Sequence, residues 1–234
     1  AVTQTLAISV ENRNEMPQGS DGHVSIVEDG RHVFVLADFG FADPLDAQAN
    51  GLAAVQIVAV PGQGSFLLAG VPVADGQWIL AGDIVAGLLS YAPAANDNGA
   101  AYAALNFRVR DDGGTADGGV DSEAGLHTLT IDVSAANDLP VGVDDSYSLD
   151  EDTPLILGGS GVLANDVDPD GDPLATERLA GPAHGTLSLA ADGSFRYTPD
   201  ADWSGTDSFI YRSFGGSGYG APVTVRLVVR AIND

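Results

Sequence analysis

The chain of 234 residues carries 33 acidic against 9 basic residues, a net charge of −24, and contains neither cysteine nor lysine. This balance excludes nucleic acid and anionic membrane surfaces as partners and favours cations, while disulfides and lysine cross-links are unavailable as staples. No apolar run is long enough to insert in a membrane, no secretion leader stands at Ala1, and thirty Gly with twelve Pro point to many short strands joined by turns.

Taken in order, residues 5–11 form a strand that leads to Asn14-Glu15-Met16-Pro17. A second strand over 24–27 ends in Glu28-Asp29, and a short apolar strand over 33–36 precedes the acidic loop Asp38-Phe39-Gly40-Phe41-Ala42-Asp43-Pro44-Leu45-Asp46. Alternating strands follow over 54–60 and 65–68, then Tyr91-Ala92-Pro93, an acid and amide turn to Asn98, and a long strand over 102–110. Residues 128–133 form a strand leading to Asn137-Asp138-Leu139-Pro140, and the series then restarts. It runs through a strand ending in Glu151-Asp152, a strand over 154–157, an Asp-rich loop, strands over 185–190 and 194–198, Tyr197-Thr198-Pro199, a strand over 207–212, and a closing strand over 223–229 before Asn233-Asp234. The period measured between Asn14, Asn137 and Asn233 gives repeats of about 123 and 96 residues. Residues 1–12 read as the last strand of a preceding repeat, 13–137 as one complete repeat and 138–234 as a second, so the chain reads as an interior piece of a tandem array. About seven strands per repeat imply an all-β fold of two sandwiches.

The Asp-rich loop is Asn165-Asp166-Val167-Asp168-Pro169-Asp170-Gly171-Asp172. Its carboxylates repel one another unless a cation sits among them, and a D-x-D-x-D-G run offers oxygen ligands suited to calcium. Counting from Asp166, Glu177 completes the EF-hand expression. That residue lies beyond Pro173 in what reads as a strand, where ~3.3 Å per residue carries it roughly 16 Å past Asp172. Calcium bound here therefore has another architecture, with Glu177 on the surface.

Catalytic chemistry is missing. His23, His32, His127 and His184 are scattered, no G-x-S-x-G elbow accompanies them, and Gly215-Gly216-Ser217-Gly218-Tyr219-Gly220 opens no helix. No enzymatic activity is expected. Trp78 and Trp203 read as core or sandwich-edge residues, the alternative for an exposed one being a saccharide platform.

The second repeat resembles the cadherin-like (VCBS-like) tandem repeats of large bacterial surface and secreted proteins. The resemblance rests on Glu151-Asp152-Thr153-Pro154-Leu155, Val162-Leu163-Ala164-Asn165-Asp166, Gly181-Pro182-Ala183-His184-Gly185-Thr186-Leu187, Tyr197-Thr198-Pro199-Asp200 and Gly205-Thr206-Asp207-Ser208-Phe209. The first repeat resembles the longer class of the same family, through Gly76-Gln77-Trp78-Ile79, residues 87–96 and Val109-Arg110-Asp111-Asp112-Gly113-Gly114. The resemblance implies Ig-like Greek-key sandwiches joined end to end, an extracellular stalk that supports adhesion, and calcium as the ion. The implied partners are neighbouring repeats, with a glycan or a homophilic partner as the alternative. It also implies how ligands divide. Glu28 and Asp97 of the first repeat, Asn137 and Asp138 of the linker, and Asp166 and Asp168 of the second repeat form one set, with Asp170 and Asp172 as further metal candidates of the Asp-rich loop itself. Asp43 and Asp46, with Asp111 or Asp112, join Asn14 and Glu15 in another, while Glu151, Asp202, Asn233 and Asp234 serve a following repeat. One departure stands out: Tyr211-Arg212-Ser213-Phe214-Gly215-Gly216 lacks the Asp that the family places before its Gly-rich turn.

Overall fold

The computed structural model describes residues 13–46, 48–216 and 218–233. The expectations for residues 1–12 and Asp234 fall outside that range. The chain divides into two compact units between Ala136 and Asn137.

The first unit contains β1 (Gly22–Val27), β2 (His32–Val33), β3 (Leu52–Ala59), β4 (Ser65–Leu68), β5 (Val71–Pro72), β6 (Gln77–Leu80), the one-turn helix α1 (Ala81–Val85), β7 (Leu89–Ala92), β8 (Gly99–Asp111) and β9 (His127–Ser134). One sheet has the order β1-β9-β8-β3-β6 and the other β2-β7-β4-β5. The alternating pattern of β8 explains the layering. Leu105, Phe107 and Val109 are fully buried, and together with Val55, Ile57, Leu129 and Ile131 they meet Phe66, Leu89 and Tyr91 of the second sheet in one apolar cluster. Each such large side chain contributes roughly 1.5–3 kcal/mol on burial. The polar residues between them face the opposite side of the sheet.

Two local departures from the expected pattern have visible causes. The short strand expected to reach residue 36 stops at Val33, and Leu36–Phe39 forms a 3₁₀ turn. Asp38 Oδ2 accepts the Val35 N–H at 2.9 Å and Gly40 ends the turn at φ 52°, which drives Phe39 into the core. Strands β5 and β6 and helix α1 lie in residues 70–86, where sequence periodicity marked no element.

The second unit contains β10 (Asp145–Asp150), β11 (Leu155–Leu157), β12 (Ala175–Ala180), β13 (Gly185–Leu189), β14 (Phe195–Pro199), β15 (Gly205–Gly215), β16 (Gly218–Tyr219) and β17 (Val223–Arg230). Its sheets are β10-β17-β15-β12, with β16 on β15, and β11-β14-β13. Phe209, Tyr211, Val225 and Leu227 of one sheet share a core with Phe195 and Tyr197 of the other, and Trp203 packs against it. Glu177 lies on β12, ion-paired to Arg212 at 2.6 Å on the surface.

The two units share a common set of paired strands, to which the first adds β5, β6 and α1. β1 pairs parallel with β9 and β10 pairs parallel with β17, each over six positions. Phe107 and Tyr211 occupy equivalent places on the central strand, so Asp111 of the first unit corresponds to Gly215 of the second. Likewise the isolated bridges Gln18–Ala42 and Val141–Val167 correspond, and each is followed at once by an aspartate, Asp43 or Asp168.

Candidate metal centre

At one end of the first unit, four loop segments bring acids and amides together. The Asn14 side-chain amide lies 3.0 Å from Asp111 Oδ1 and 2.9 Å from the Val120 carbonyl, and its Oδ1 accepts the Asn50 amide. Asn50 in turn gives its backbone N–H to Asp43 Oδ2 at 2.6 Å and its side-chain amide to Asp46 Oδ2 at 3.0 Å. Asp46 also accepts the Glu15 N–H. Asn14, Glu15, Asp43, Asp46 and Asp111 therefore form one connected cup. Asp112 is the residue left out: it turns to the Gly51 N–H at 2.7 Å.

The one positive charge that acts on this cup among the described residues is Arg13, which opposes the upward shift of Glu15 at the rim. Asp43 is 7% exposed and Asp111 2%, yet among the described residues Asp43 Oδ1 and Asp111 Oδ2 have no hydrogen-bond partner. Burial pushes the Asp111 carboxyl above its ordinary range, the charge of Asp43 adds to the shift, and the Gly113 N–H and Asn14 amide oppose it. Glu15 is also raised, chiefly by its hydrogen bond to Asp46. Buried carboxylates without donors are costly unless a cation faces them.

The second unit repeats the cup with one member missing. Asp168 Oδ1 accepts the N–H groups of Asp170 at 3.0 Å and Asp172 at 3.3 Å, in a turn that Gly171 closes at φ 76°. Asp170 Oδ2 accepts the Asp138 N–H at 2.6 Å, as Asp46 accepts that of Glu15. Asp168 is 7% exposed, and its Oδ2 is another buried oxygen without a partner among the described residues. Gly215 and Gly216 line the same space: a Cβ on Gly215 would collide with Asp168 Oδ2, and one on Gly216 with Asn137 Oδ1 and Asp172 Oδ2. The Asp noted as absent from the sequence is thus absent at this place, and Asp168 uses the room.

Asp166 has a different setting from its neighbours in sequence. Its Oδ1 accepts the Val143 N–H at 2.9 Å and its Oδ2 the Tyr211 hydroxyl at 3.0 Å, so core donors occupy both oxygens. Its counterpart in the first unit is Phe41, which packs against the core. Nearby Asp145 is raised to about 6, by burial first; the Tyr147 hydroxyl opposes the shift and the Asp166 charge adds to it.

The remaining predicted residues lie elsewhere within each unit. Glu28 is buried, with its N–H on Ser134 O, Oε1 on the Ala136 N–H and Oε2 on the Asn98 amide at 2.9 Å. The Ala136 N–H, followed by the Asn98 amide, holds its carboxyl below the ordinary range. Glu151 repeats this arrangement through Arg230 O and the Ile232 N–H at 2.8 Å. Asp97 is exposed and accepts the Tyr102 hydroxyl at 3.0 Å. Asp202, at φ 55°, gives its N–H to Asp152; the residue that does the same toward Asp29 is Asn96, so Asn96 rather than Asp97 is the counterpart of Asp202.

Two residues escaped the sequence reading. Asn50 joins three members of the first cup, Asn14, Asp43 and Asp46, although Asn50-Gly51 before a strand signals only a turn. Asp207 is a buried acid satisfied by the N–H groups of Ala183, His184 and Ser208 and by the Tyr197 hydroxyl; burial raises its pKa, but these donors outweigh it and hold the carboxyl below its ordinary value.

Paired sandwiches, each with an acidic cup where its first segment enters, define a cadherin-like β-sandwich protein. Among solved structures, mouse Protocadherin-24 EC1-3 matches with a TM-score of 0.53 at 17% identity, over 94% of this chain and 72% of that one. Human CDH23 EC21-23 matches with a TM-score of 0.50 at 17% identity, over 92% of this chain and 70% of that one. The human Desmocollin-1 ectodomain gives 0.49 at 12% identity; the match covers 97% of this chain but 43% of that ectodomain, so the chain spans less than half its length. At such identities the likeness concerns the fold. The model of the bacterial cadherin-like domain family matches residues 137–231, within the second unit. No curated protein matches the chain by sequence.

Proposed function

We propose that the two units are calcium-stiffened spacer repeats of an extracellular, adhesin-like bacterial surface protein that supports cell adhesion. The observation that carries this reading is the set of buried carboxylate oxygens without donors: Asp43 Oδ1 and Asp111 Oδ2 in one cup and Asp168 Oδ2 in the other. They fit calcium by chemistry as well as by charge, because carboxylates and amide oxygens are the hard ligands it takes in sets of six to eight. In the first cup Asn14, Asp43, Asp46 and Asp111, with Glu15 at the rim, would hold the ion. In the second, Asn137, Asp138, Asp168, Asp170 and Asp172 would do so. A bound calcium cancels the mutual repulsion of these groups and fixes the loops that carry them. Among the described residues no helix is long and apolar enough to cross a membrane.

The test is calorimetric titration of chelator-treated protein with calcium, repeated with magnesium, alongside small-angle scattering in both states. Saturable calcium binding with a stiffer scattering profile supports the proposal. Absence of heat and an unchanged profile at millimolar calcium would overturn it.

A further inference from the structure

We infer that the solvent face of the five-stranded sheet in the first unit binds an acidic glycan, whose carboxylate is taken by Arg108 and Arg110 beside Trp78. This inference is independent of the calcium reading. Because Phe107 and Val109 point into the core, Arg108 and Arg110 project from the other face of β8. Arg108 stands opposite Gln56 on β3, and Gln56 stands opposite Trp78 on β6; the next row runs Arg110, Ala54, Leu80. The small Ala54 lets Arg110 reach across, and its guanidinium lies 4.5 Å from the centre of the Trp78 ring. Arg108 Nε donates to Gln56 Oε1 at 2.7 Å. Both guanidinium groups are thereby held in place by neutral partners.

The second unit shows what the same position does when it needs no ligand. Arg212 is the counterpart of Arg108, and the residue opposite it is Glu177, which forms an ion pair with it. The counterpart of Arg110 is Phe214; elsewhere in the second unit Arg230 pairs with Asp150, and among the described residues Arg212 and Arg230 are the two arginines in ion pairs. In a chain with 33 acids and 9 arginines, carboxylates are the easiest partners to supply. Yet among the described residues neither Arg108 nor Arg110 has one at ion-pairing distance, and Gln56 replaces the acid. The Nη groups of Arg108 make no hydrogen bond among the described residues. The result is two adjacent positive charges on a strongly negative protein, with planar donor forks matched to a carboxylate.

The neighbours identify the rest of the ligand. Trp78 is partly exposed and Thr128 offers a hydroxyl whose oxygen accepts the Asn106 amide at 3.5 Å, while the Gln56 amide is already taken by Arg108 and the Gly76 carbonyl; an aromatic ring beside a hydroxyl suits a sugar better than a bare anion. The net charge of −24 repels densely charged polymers and a second copy of the chain alike. A glycan whose carboxylates are spaced by neutral sugars meets both conditions.

The probe is an oligosaccharide alternating glucuronate with N-acetylglucosamine, titrated calorimetrically into the calcium-loaded full chain. The same oligosaccharide with its carboxylates reduced to alcohols and a sulfated heparin oligosaccharide serve as comparisons. Binding of the uronate chain alone is expected, and Arg108→Gln with Arg110→Gln should weaken it about tenfold or more with an unchanged melting profile. Trp78→Phe, which keeps an aromatic face, should weaken it less than Trp78→Ala. The inference is overturned by no binding of the uronate chain, by equal binding of the reduced chain, by preference for heparin, or by unchanged affinity of the double arginine variant. Self-association that the arginine variant abolishes, without glycan binding, would instead identify an interface between copies.

Discussion

Asp111→Asn separates a calcium ligand from a structural acid, because the two roles predict opposite dependence on the ion. The substitution keeps the Oδ1 that accepts from Asn14 and Gly113, and it replaces the unpartnered Oδ2 with an amide. With chelator, removal of a charge raised by burial and by Asp43 should leave the melting temperature of the first unit unchanged or higher. With calcium at a hundred times the parent's dissociation constant, the parent gains about 2.7 kcal/mol; a tenfold weaker site at the same concentration gains about 1.4 kcal/mol. The difference corresponds to a loss of roughly 4 °C in the calcium-induced shift for a unit of this size. The assay is thermal unfolding followed by fluorescence in a Trp203→Phe background, where Trp78 reports the first unit alone. Equal destabilisation in calcium and chelator would refute the reasoning and make Asp111 a structural residue. The pH dependence provides a second check. A carboxyl whose folded pKa is raised destabilises above that pKa and is relieved as pH falls toward its ordinary value, so the chelated parent should gain stability on mild acidification and the variant should gain less.

In the second unit, Gly215→Ala should lower stability and shrink the calcium-induced shift, read through Trp203 in a Trp78→Phe background, because its Cβ meets Asp168 Oδ2. Glu177→Gln should leave that shift intact and cost at most about 1 kcal/mol; a lost shift would restore the EF-hand reading. Asp207→Asn should destabilise by about 2 kcal/mol, measured by urea unfolding. The Asp207 contribution has the opposite pH sign to that of Asp111: its folded pKa is depressed, so stability is present above the unfolded value near 3.8 and is lost as pH falls through the folded pKa. Asp145, raised to about 6, should make the chelated second unit more stable as pH is lowered from 7 toward 5, and Asp145→Asn should flatten that rise.

The succession of strands along the chain and the repeat were legible because they depend on local patterns. Alternating apolar residues marked β8, β9 and β17, and the recurring Asn-acid pairs at Asn14 and Asn137 marked the entry to each cup. The choice of Asp111 over Asp112 could not be read, since it depends on which side of β8 faces the core as the strand ends. Asp166 and Asp168 look equivalent in sequence, but the Val141–Val167 bridge lies between them, and Tyr211 and Val143 claim Asp166 from within. Asn50 was invisible for a similar reason: it ties Asp43 and Asp46 of its own loop to Asn14, which lies 36 residues away in the chain. The carboxylate-free surroundings of the arginine pair on β8 needed the register, because only the pairing shows Gln56 where the other unit has Glu177.

The parallel pairing of the first and last strands in each unit bears on how such a domain responds to force. Since β1 and β9 run in the same direction, as do β10 and β17, the chain enters each sandwich at one end and leaves at the other. Tension applied through the chain therefore slides the two strands along each other, and all six paired positions resist together rather than opening one after another as in a pulled hairpin. Forced unfolding is governed by the rate of reaching that barrier, not by equilibrium stability. A domain of modest thermodynamic stability can in this way endure brief pulls that would open a hairpin.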